Sequence, residues 1–405
     1  CTACRGSSCA MTDASTEMQG MRHFGRFDPR RVPSPCFVVD EVALEENLQL
    51  LAHVQRESGA KILLALKAFS MFSLAPLVRR YLPGTCASGL HEARLGREEF
   101  GGEVHTFCAA FTEQELRATL EISDHVVFNS CAQLERFAPI LEEARTRRPQ
   151  LKYGMRINPE HSEGAVALYD PCALGSRLGV TRSQFRTERL DLLSGLHFHT
   201  LCEQDLPPLA RTITAVERNF GEFIPRMQWI NFGGGHHITR PGYQIDELIR
   251  LIRDFRARHG VEVYLEPGEA IAYHCGVLVA EVLDLGWNGI DQAILDTSAT
   301  CHMPDVIEMP YRTMVTGSGS ADEFPHLYRL GGQTCLAGDV IGDYSFPEPL
   351  TIGQRLVFED MAYYTMVKTT TFNGINLPSI AIWNSRSDEV RIVRRFGYED
   401  FRSRL

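Results

Sequence analysis

Short apolar runs alternate with longer amphipathic stretches over the first two thirds of the chain. PCFVVD (35–40) predicts a strand, and the polar EVALEENLQLLAHVQRESG that follows predicts a helix ending at Gly59. ILLALKAF predicts the next strand and SLAPLVRRY the next helix. The alternation continues through GTCAS, a helix over 91–100, EVHTFCAA, a helix over 112–122, HVVFNS, a helix over 133–146, KYGMRINP, LSGLHFHT, a helix over 206–220, MQWINFGGG, a helix over 245–259 and VEVYLEPGE. From ILLALKAF to VEVYLEPGE about eight strands alternate with helices, which predicts a (β/α)8 barrel.

After about residue 272 the rhythm changes. VLVAEVLDLG, QAILDTS, YRTMVTG, LYRLGG, QRLVFEDM, YTMV and SIAIW are short β-like runs with turns and no long helix between them. They predict a separate, mostly antiparallel β domain, a sandwich or small barrel. The fold class is therefore α/β plus β. Residues 1–20 read as a disordered tail or an extension, 21–40 as a segment joining the β domain, 41–272 as the barrel and 273–405 as the β domain.

Composition narrows the function classes. The 405 residues are 44% hydrophobic and 23% charged, ordinary values for a globular protein. No run of 18 uncharged apolar residues exists, so no membrane partner is expected. The net charge is −10 and no Lys/Arg block stands out, which argues against a nucleic-acid partner and favours a cationic small ligand. Of twelve cysteines, three lie in the first ten residues, and the other nine are scattered without a C-x-x-C pair. That predicts reduced thiols and a cytoplasmic location. The first twenty residues lack the apolar core of a secretory signal.

Candidate chemistry starts from KILLALKAFS (61–70), which carries Lys67 inside an apolar run. Such a lysine can snorkel, with its stem covered and its head in water. Alternatively, burial can keep the amine unprotonated, as a Schiff base requires. Barrels place functional groups at the C-terminal ends of their strands. Lys67, the pair His197 and His199, the triplet Gly233, Gly234 and Gly235, and Glu266 all fall there. The triplet reads as a flexible turn or as a backbone cradle for a phosphate. The histidines share one face of their strand, as core or as ligands. A zinc site would need a third ligand such as His236 or His237. Glu266 reads as an ion-pair partner or as a carboxylate facing a protonated ring nitrogen. Taken together, a buried lysine, a phosphate cradle, a flat ring and a carboxylate describe a pyridoxal-phosphate site without a metal.

LALKAF, GLHFH, FGGG, LEPGE, GGQTCLAGD and DMAYYTMVKTTTFNG together resemble the alanine-racemase-fold (fold type III) pyridoxal-phosphate decarboxylases over roughly 35–405. That family includes the ornithine, arginine and diaminopimelate decarboxylases. Within it, HFHTLCEQ, NFGGGHHIT and TCLAGDVIGDY are most similar to the carboxynorspermidine (carboxyspermidine) decarboxylases. The resemblance implies that Lys67 carries the cofactor, that His199 stacks on its ring, and that Gly233, Gly234 and Gly235 hold the phosphate together with Tyr364. It further implies that Glu266 pairs with the ring nitrogen and that Arg156 lies near the cofactor. Cys335, with Asp339 behind it, would come from the neighbouring subunit of a homodimer and return a proton to carbon.

Three departures stand out. Relatives usually carry EPGR, whereas this chain has EPGE, so Glu269 cannot assist a phosphate as arginine does. Relatives often carry GS after the histidine, where Thr200, Leu201 and Cys202 stand here. Amino-diacid decarboxylases show an arginine where VIEMPYR has Glu308. A glutamate there repels a carboxylate tail and attracts an ammonium. Asp296, Asp305 and Asp339 are further candidates for the substrate's amine. Simple surface or packing roles stay open for these acids and for Cys335. The implied activity is decarboxylation of carboxynorspermidine or carboxyspermidine to norspermidine or spermidine. A diaminopimelate, ornithine or arginine decarboxylase, a racemase and a non-catalytic relative are the alternatives.

Overall fold

A computed structural model describes residues 21–164 and 170–405. The tail expected over 1–20 lies outside the described residues. The described chain forms two units, one from Leu44–Ala272 and the other from the residues up to Ala43 together with Tyr273–Leu405.

Strand β1 (Cys36–Asp40) is buried throughout and leads into helix α1 (Glu41–Ser58). The next eight strands are β2 (Lys61–Ala65), β3 (Gly84–Ala87), β4 (Glu103–Phe107), β5 (His125–Phe128), β6 (Lys152–Arg156), β7 (Leu193–His197), β8 (Trp229–Asn231) and β9 (Glu262–Leu265). All neighbours are parallel, and β9 pairs with β2 to close the barrel. Parallel barrel strands are covered on both faces, which is why they read as apolar runs rather than as strict alternation. The intervening helices are α2 (Ala75–Val78), α3 (Leu90–Leu95), α4 (Glu113–Ile122), α5 (Cys131–Arg147), α6 (Leu206–Phe220) and α7 (Ile245–His259), with a short α8 (Glu269–Ala272) after β9. The helix expected over 91–100 is α3 followed by a π-helical turn, Gly96–Phe100. A Thr112–Glu115 capping box starts α4, and Gly260 in a left-handed conformation ends α7.

Inside the barrel Leu63, Val127, Trp229 and Tyr264 pack together. Gly154 and Gly195 leave room for the indole: a Cβ on Gly195 would lie 2.1 Å from Trp229 Cδ2. At the strands' N-terminal ends a polar plug closes the interior. Lys61 Nζ lies 2.7 Å from Glu103 and 3.0 Å from Glu262, and the Tyr264 hydroxyl bonds to both acids. The mouth at the other end is left for chemistry.

The other unit is built on eight strands. β10 (Gly276–Trp287), β11 (Asp291–Leu295), β12 (His326–Gly331), β13 (Val340–Phe346), β14 (Arg355–Phe358), β15 (Ser379–Asn384) and β16 (Glu389–Arg394) join β1. The order is β13-β12-β11-β10-β1-β15-β16, with β14 also on β10. Twelve-residue β10 bonds to β1 and β14 through its first half and to β11 through its second. The sheet is mostly antiparallel, as expected, with two parallel pairs, β1 with β15 and β11 with β12. Parallel neighbours need long crossovers. The first pair has the whole barrel between its members in the chain. The second has the segment carrying α9 (Ala299–His302) and α10 (Asp305–Glu308).

YRTMVTG and YTMV do not form strands. Positive φ at Asp360 (59°) and Tyr364 (35°) interrupts extension around the second. β13 falls within the TCLAGDVIGDY motif rather than on a predicted strand, and β16 carries Glu389, Arg391 and Arg394, suited to a sheet edge.

Candidate active site

Every barrel residue singled out for chemistry lies at or just beyond a strand's C-terminal end. β2 ends at Ala65, so Lys67 is not inside the strand but in the turn that follows. His199 lies two residues beyond β7, Gly233 two beyond β8, and Glu266 directly beyond β9; Arg156 ends β6. Lys67, Arg156, His199, Gly234 and Glu266 line one cavity of about 470 Å³, part of it open to solvent, together with Cys86, His105, Phe107 and His197. The Lys67 side chain is accessible from the cavity, yet protein groups surround it closely. Desolvation therefore dominates its amine. Burial lowers the pKa, Arg156 adds to the effect, and Cys86, Glu266 and Glu92 oppose it.

Glu266 is held from two sides. Asn231 Nδ2 donates to Oε1 at 2.7 Å, and His197 Nε2 donates to Oε2 at 2.9 Å. Burial works against the charged carboxylate, but His197 and Asn231 overcome it and bring the pKa down to about 2. Burial also lowers the pKa of His197, whose Nδ1 has no partner among the described residues. His197 and Glu266 are thus a tightly coupled pair joined by an N–H donated to the carboxylate. A buried carboxylate kept ionised at the floor of a cavity is suited to holding a proton on a ligand's nitrogen.

The glycine triplet is a close crossing rather than a loose turn. Gly233 and Gly235 have φ of 69° and 85°. A Cβ on Gly233, Gly234 or Gly235 would lie 2.4 Å from Phe198 O, 2.2 Å from Glu266 O or 1.9 Å from Leu201 O. The Gly233 amide bonds to Asn231 Oδ1 at 2.8 Å. His199 Nδ1 lies 3.0 Å from Gly234 O and 3.1 Å from Gly234 N, so either tautomer pins its ring to the loop. The Gly235 and His236 amides make no hydrogen bond to the described residues, which leaves them for an anion. Arg156 is buried, stacks 4.6 Å over Phe107 and donates to His199 O at 3.3 Å. Burial lowers its pKa to about 10, so it stays cationic.

The remaining candidates belong to the other unit. Cys335 is exposed, and its amide bonds to Asn373 Oδ1 at 2.9 Å. The Asp339 carboxylate is buried and accepts the Ser298 and Thr334 hydroxyls and the Thr300 and Thr334 amides, so it shapes the loop that presents Cys335. Asp305 and Glu308, at the two ends of α10, lie 2.5 and 3.6 Å from Lys368 Nζ. Asp296 stands apart from them, accepting the Glu281 amide at 2.8 Å. Tyr364 is half-buried.

The histidines considered for zinc are not gathered: His197 bonds to Glu266, His199 to Gly234, and His237 faces Glu269 at 3.1 Å. Among the described residues the one group spaced for an ion is Glu103, His105 and His125. There the two rings stack at 3.7 Å and 17°, so their lone pairs run side by side, and Lys61 already occupies Glu103. Sequence reasoning missed Asn231, His105, Cys86 and Glu92. Asn231 carried the one available signal, a polar residue in the apolar MQWINF, immediately before the glycine turn.

A family model for the pyridoxal-dependent decarboxylase, C-terminal sheet domain, matches residues 36–362. The carboxyaminopropylagmatine decarboxylase of Synechocystis is 44% identical over 92% of this chain and 96% of its own. The carboxynorspermidine/carboxyspermidine decarboxylase of Campylobacter jejuni is 42% identical over 92% of this chain and 98% of its own. The crystal structure of carboxynorspermidine decarboxylase from Campylobacter jejuni, complexed with norspermidine, superposes with a TM-score of 0.84 at 40% identity, covering 92% of this chain and 100% of that one.

Proposed function

The chain belongs to the pyridoxal-dependent decarboxylases, and we propose that within them it removes CO2 from a carboxylated polyamine, carboxynorspermidine or carboxyspermidine, to leave norspermidine or spermidine. The observation that carries this reading is the pairing in one cavity of a lysine whose ammonium is disfavoured by burial with a carboxylate held ionised. The surroundings fit pyridoxal phosphate: a cleft lined by Lys67, Arg156, His199 and Glu266, unbonded amides at Gly235 and His236, and a glycine crossing with no room for a Cβ. When bound, that cofactor supplies a carbonyl for an amine and a protonated ring that accepts the electron pair left by departing CO2.

The chain's own residues divide the remaining work. Lys67 presents to the cavity an amine whose pKa the surrounding protein lowers. Glu266 would hold a proton on the cofactor's ring nitrogen, while Asn231 and His197 fix its two oxygens. His199 offers a flat, neutral ring tied to the glycine loop. Arg156 keeps a positive charge in the cavity for an anionic group. The overall change takes up one proton as one carboxylate leaves as CO2. Cys335 is the proposed source of that proton, acting in a homodimer. Exposed apolar side chains of the same unit, among them Ile307, Leu336, Val340 and Phe372, support such an assembly. Tyr364 is assigned to the phosphate by family resemblance.

Asp305 and Glu308 already hold one ammonium, that of Lys368, and this is the chemistry a polyamine tail offers. A guanidino tail is the second reading, favoured by the similarity to the Synechocystis relative. No helix among the described residues is long and apolar enough to cross a membrane. No disulfide joins the nine described cysteines to one another, which supports a reducing, cytoplasmic location.

The test is CO2 release from carboxynorspermidine, carboxyspermidine, carboxyaminopropylagmatine and diaminopimelate, paired with borohydride reduction and peptide mapping. Label on Lys67 and preference for a carboxylated polyamine are expected. Preference for diaminopimelate, or full activity in Lys67→Ala, would sink the proposal.

A further inference from the structure

The loop that presents Cys335 is tied to Asp339 through Thr334 and, at Cys335 itself, to a residue that the reading above does not use. Asn373 has a left-handed backbone, φ 58° and ψ 12°, and Gly374 follows at φ 73°. Asparagine and glycine are the residues that tolerate this conformation best. The Asn373 side chain reaches the neighbouring loop, where Oδ1 accepts the Cys335 amide at 2.9 Å. Its own turn is anchored. The Gly374 amide bonds to Thr371 O at 3.0 Å and the Ile375 amide to Phe372 O at 3.1 Å. The buried Cys301 thiol donates to Phe372 O at 3.6 Å, and the Thr370 amide bonds to Cys301 O at 2.8 Å. Cys301 belongs to α9, which Ser298 caps, and the Ser298 hydroxyl donates to Asp339 at 2.9 Å. Asp339 closes the circuit by accepting the Thr334 amide at 3.2 Å and the Thr334 hydroxyl at 2.7 Å.

Resting on the reading of Cys335 as the proton source, we infer that Asn373 is a positioning residue for that proton: its Oδ1 fixes the backbone from which the Cys335 thiol reaches the substrate's carbon. Asp339 Oδ2 and Asn373 Oδ1 hold two consecutive amides, those of Thr334 and Cys335. The thiol is left with rotation about its own Cα–Cβ bond. Stability does not need the second anchor, because Cys335 is exposed and water can serve its amide instead. Direction does need it. As CO2 leaves, the S–H bond breaks, a C–H bond forms at the carbon that carried the carboxylate, and solvent water returns a proton to sulfur. A proton placed on the cofactor's carbon instead leaves the amine nitrogen on the cofactor, and one water then releases the substrate as an aldehyde. A misplacement of about 1 Å costs a positioned step about a hundredfold, so a loosened Cys335 loop shows in which carbon receives the proton.

Two variants of the full chain test this. Asn373→Gly keeps the left-handed backbone and removes the acceptor, whereas Asn373→Asp keeps an acceptor in the same place. The first readout is residue-resolved hydrogen exchange without cofactor. The Cys335 amide is expected to exchange about tenfold faster in Asn373→Gly, the worth of one hydrogen bond, and at the wild-type rate in Asn373→Asp. The Thr334 amide, held by Asp339, stays protected in both and reports that the loop is folded. The second readout is the ratio of aldehyde to amine formed from carboxynorspermidine by the cofactor-loaded protein, which does not depend on how much of it is active. That ratio is expected to rise about ten- to hundredfold in Asn373→Gly and to stay at the wild-type value in Asn373→Asp. The inference is overturned if Asn373→Gly leaves Cys335 exchange unchanged, if it frees the amide without moving the product ratio, or if Asn373→Asp behaves like Asn373→Gly. If Cys335→Ala keeps the wild-type product ratio, the reading of Cys335 as the proton source fails first.

Discussion

Asn231→Asp tests how the cavity keeps Glu266 ionised. Asn231 donates from Nδ2 to Glu266 at 2.7 Å and accepts the Gly233 amide on Oδ1 at 2.8 Å. Aspartate has the same shape and keeps the second bond, but turns the first into a contact between two carboxylates. At 2.7 Å and an effective dielectric of about 20, their repulsion is about 6 kcal/mol, or roughly 4 to 5 pKa units. The pair then shares one proton, with an apparent pKa in the neutral range. A carboxyl raised in the fold above its unfolded value of about 4 costs stability progressively as pH climbs toward the folded value, at about 1.4 kcal/mol per unit. Between pH 5 and pH 7 the variant should therefore lose about 3 kcal/mol. In the wild-type protein the Glu266 pKa is depressed to about 2. Its contribution is fully present above the ordinary carboxylate pKa, flat across that window, and lost only as pH falls from about 4.5 toward 2. Urea denaturation of cofactor-free protein at pH 5, 6, 7 and 8 separates the two profiles. Parallel profiles would refute the reasoning, because Asn231 would then not be what faces Glu266.

Three further outcomes are expected. Gly195→Ala forces a Cβ to 2.1 Å from Trp229 and should destabilise the barrel by about 1 to 3 kcal/mol, read as a lower melting temperature that Trp229→Leu partly restores. Cys335→Ala removes an exposed side chain and should change stability by no more than about 0.5 kcal/mol; turnover should fall and an aldehyde side product from misplaced protonation should appear in mass spectra, and wild-type turnover would remove Cys335 from the chemistry. Lys368→Met frees Asp305 and Glu308 for the substrate's ammonium and should lower KM several-fold, about 1 kcal/mol for a partly exposed pair, with kcat unchanged; a raised KM would mean that Lys368 positions the acids rather than competing for them.

Lys67 shows how much of the site was readable in advance. An ammonium in ILLALKAF conflicts with its apolar surroundings, and position along a β/α repeat then puts it at the end of the barrel where loops gather. Glu266 and the glycine triplet were legible for the same reason. Asp339 was readable only as an acid in a motif. Its use of both oxygens to shape the Cys335 loop depends on Ser298 and Thr300, roughly forty positions earlier in the chain. Glu308 and Asp305 were legible as acids, but Lys368, which neutralises them, lies sixty residues away. The mostly antiparallel second sheet was legible, but its two parallel pairs were not, because alternation along a strand reports which face is buried and not the direction of its neighbour.

Local periodicity is a property of consecutive residues, so the chain by itself determined the barrel's eight strands, their helices and the strand ends where function collects. Departures from that periodicity marked Lys67, the glycines and Glu266, because a misplaced charge or a missing side chain is visible without knowing its neighbours. Ionisation was decided by tertiary structure alone. How far the Lys67 ammonium is disfavoured and whether Glu266 keeps its charge depend on desolvation and on donors brought from other strands, and those act over ångströms in space rather than positions in sequence.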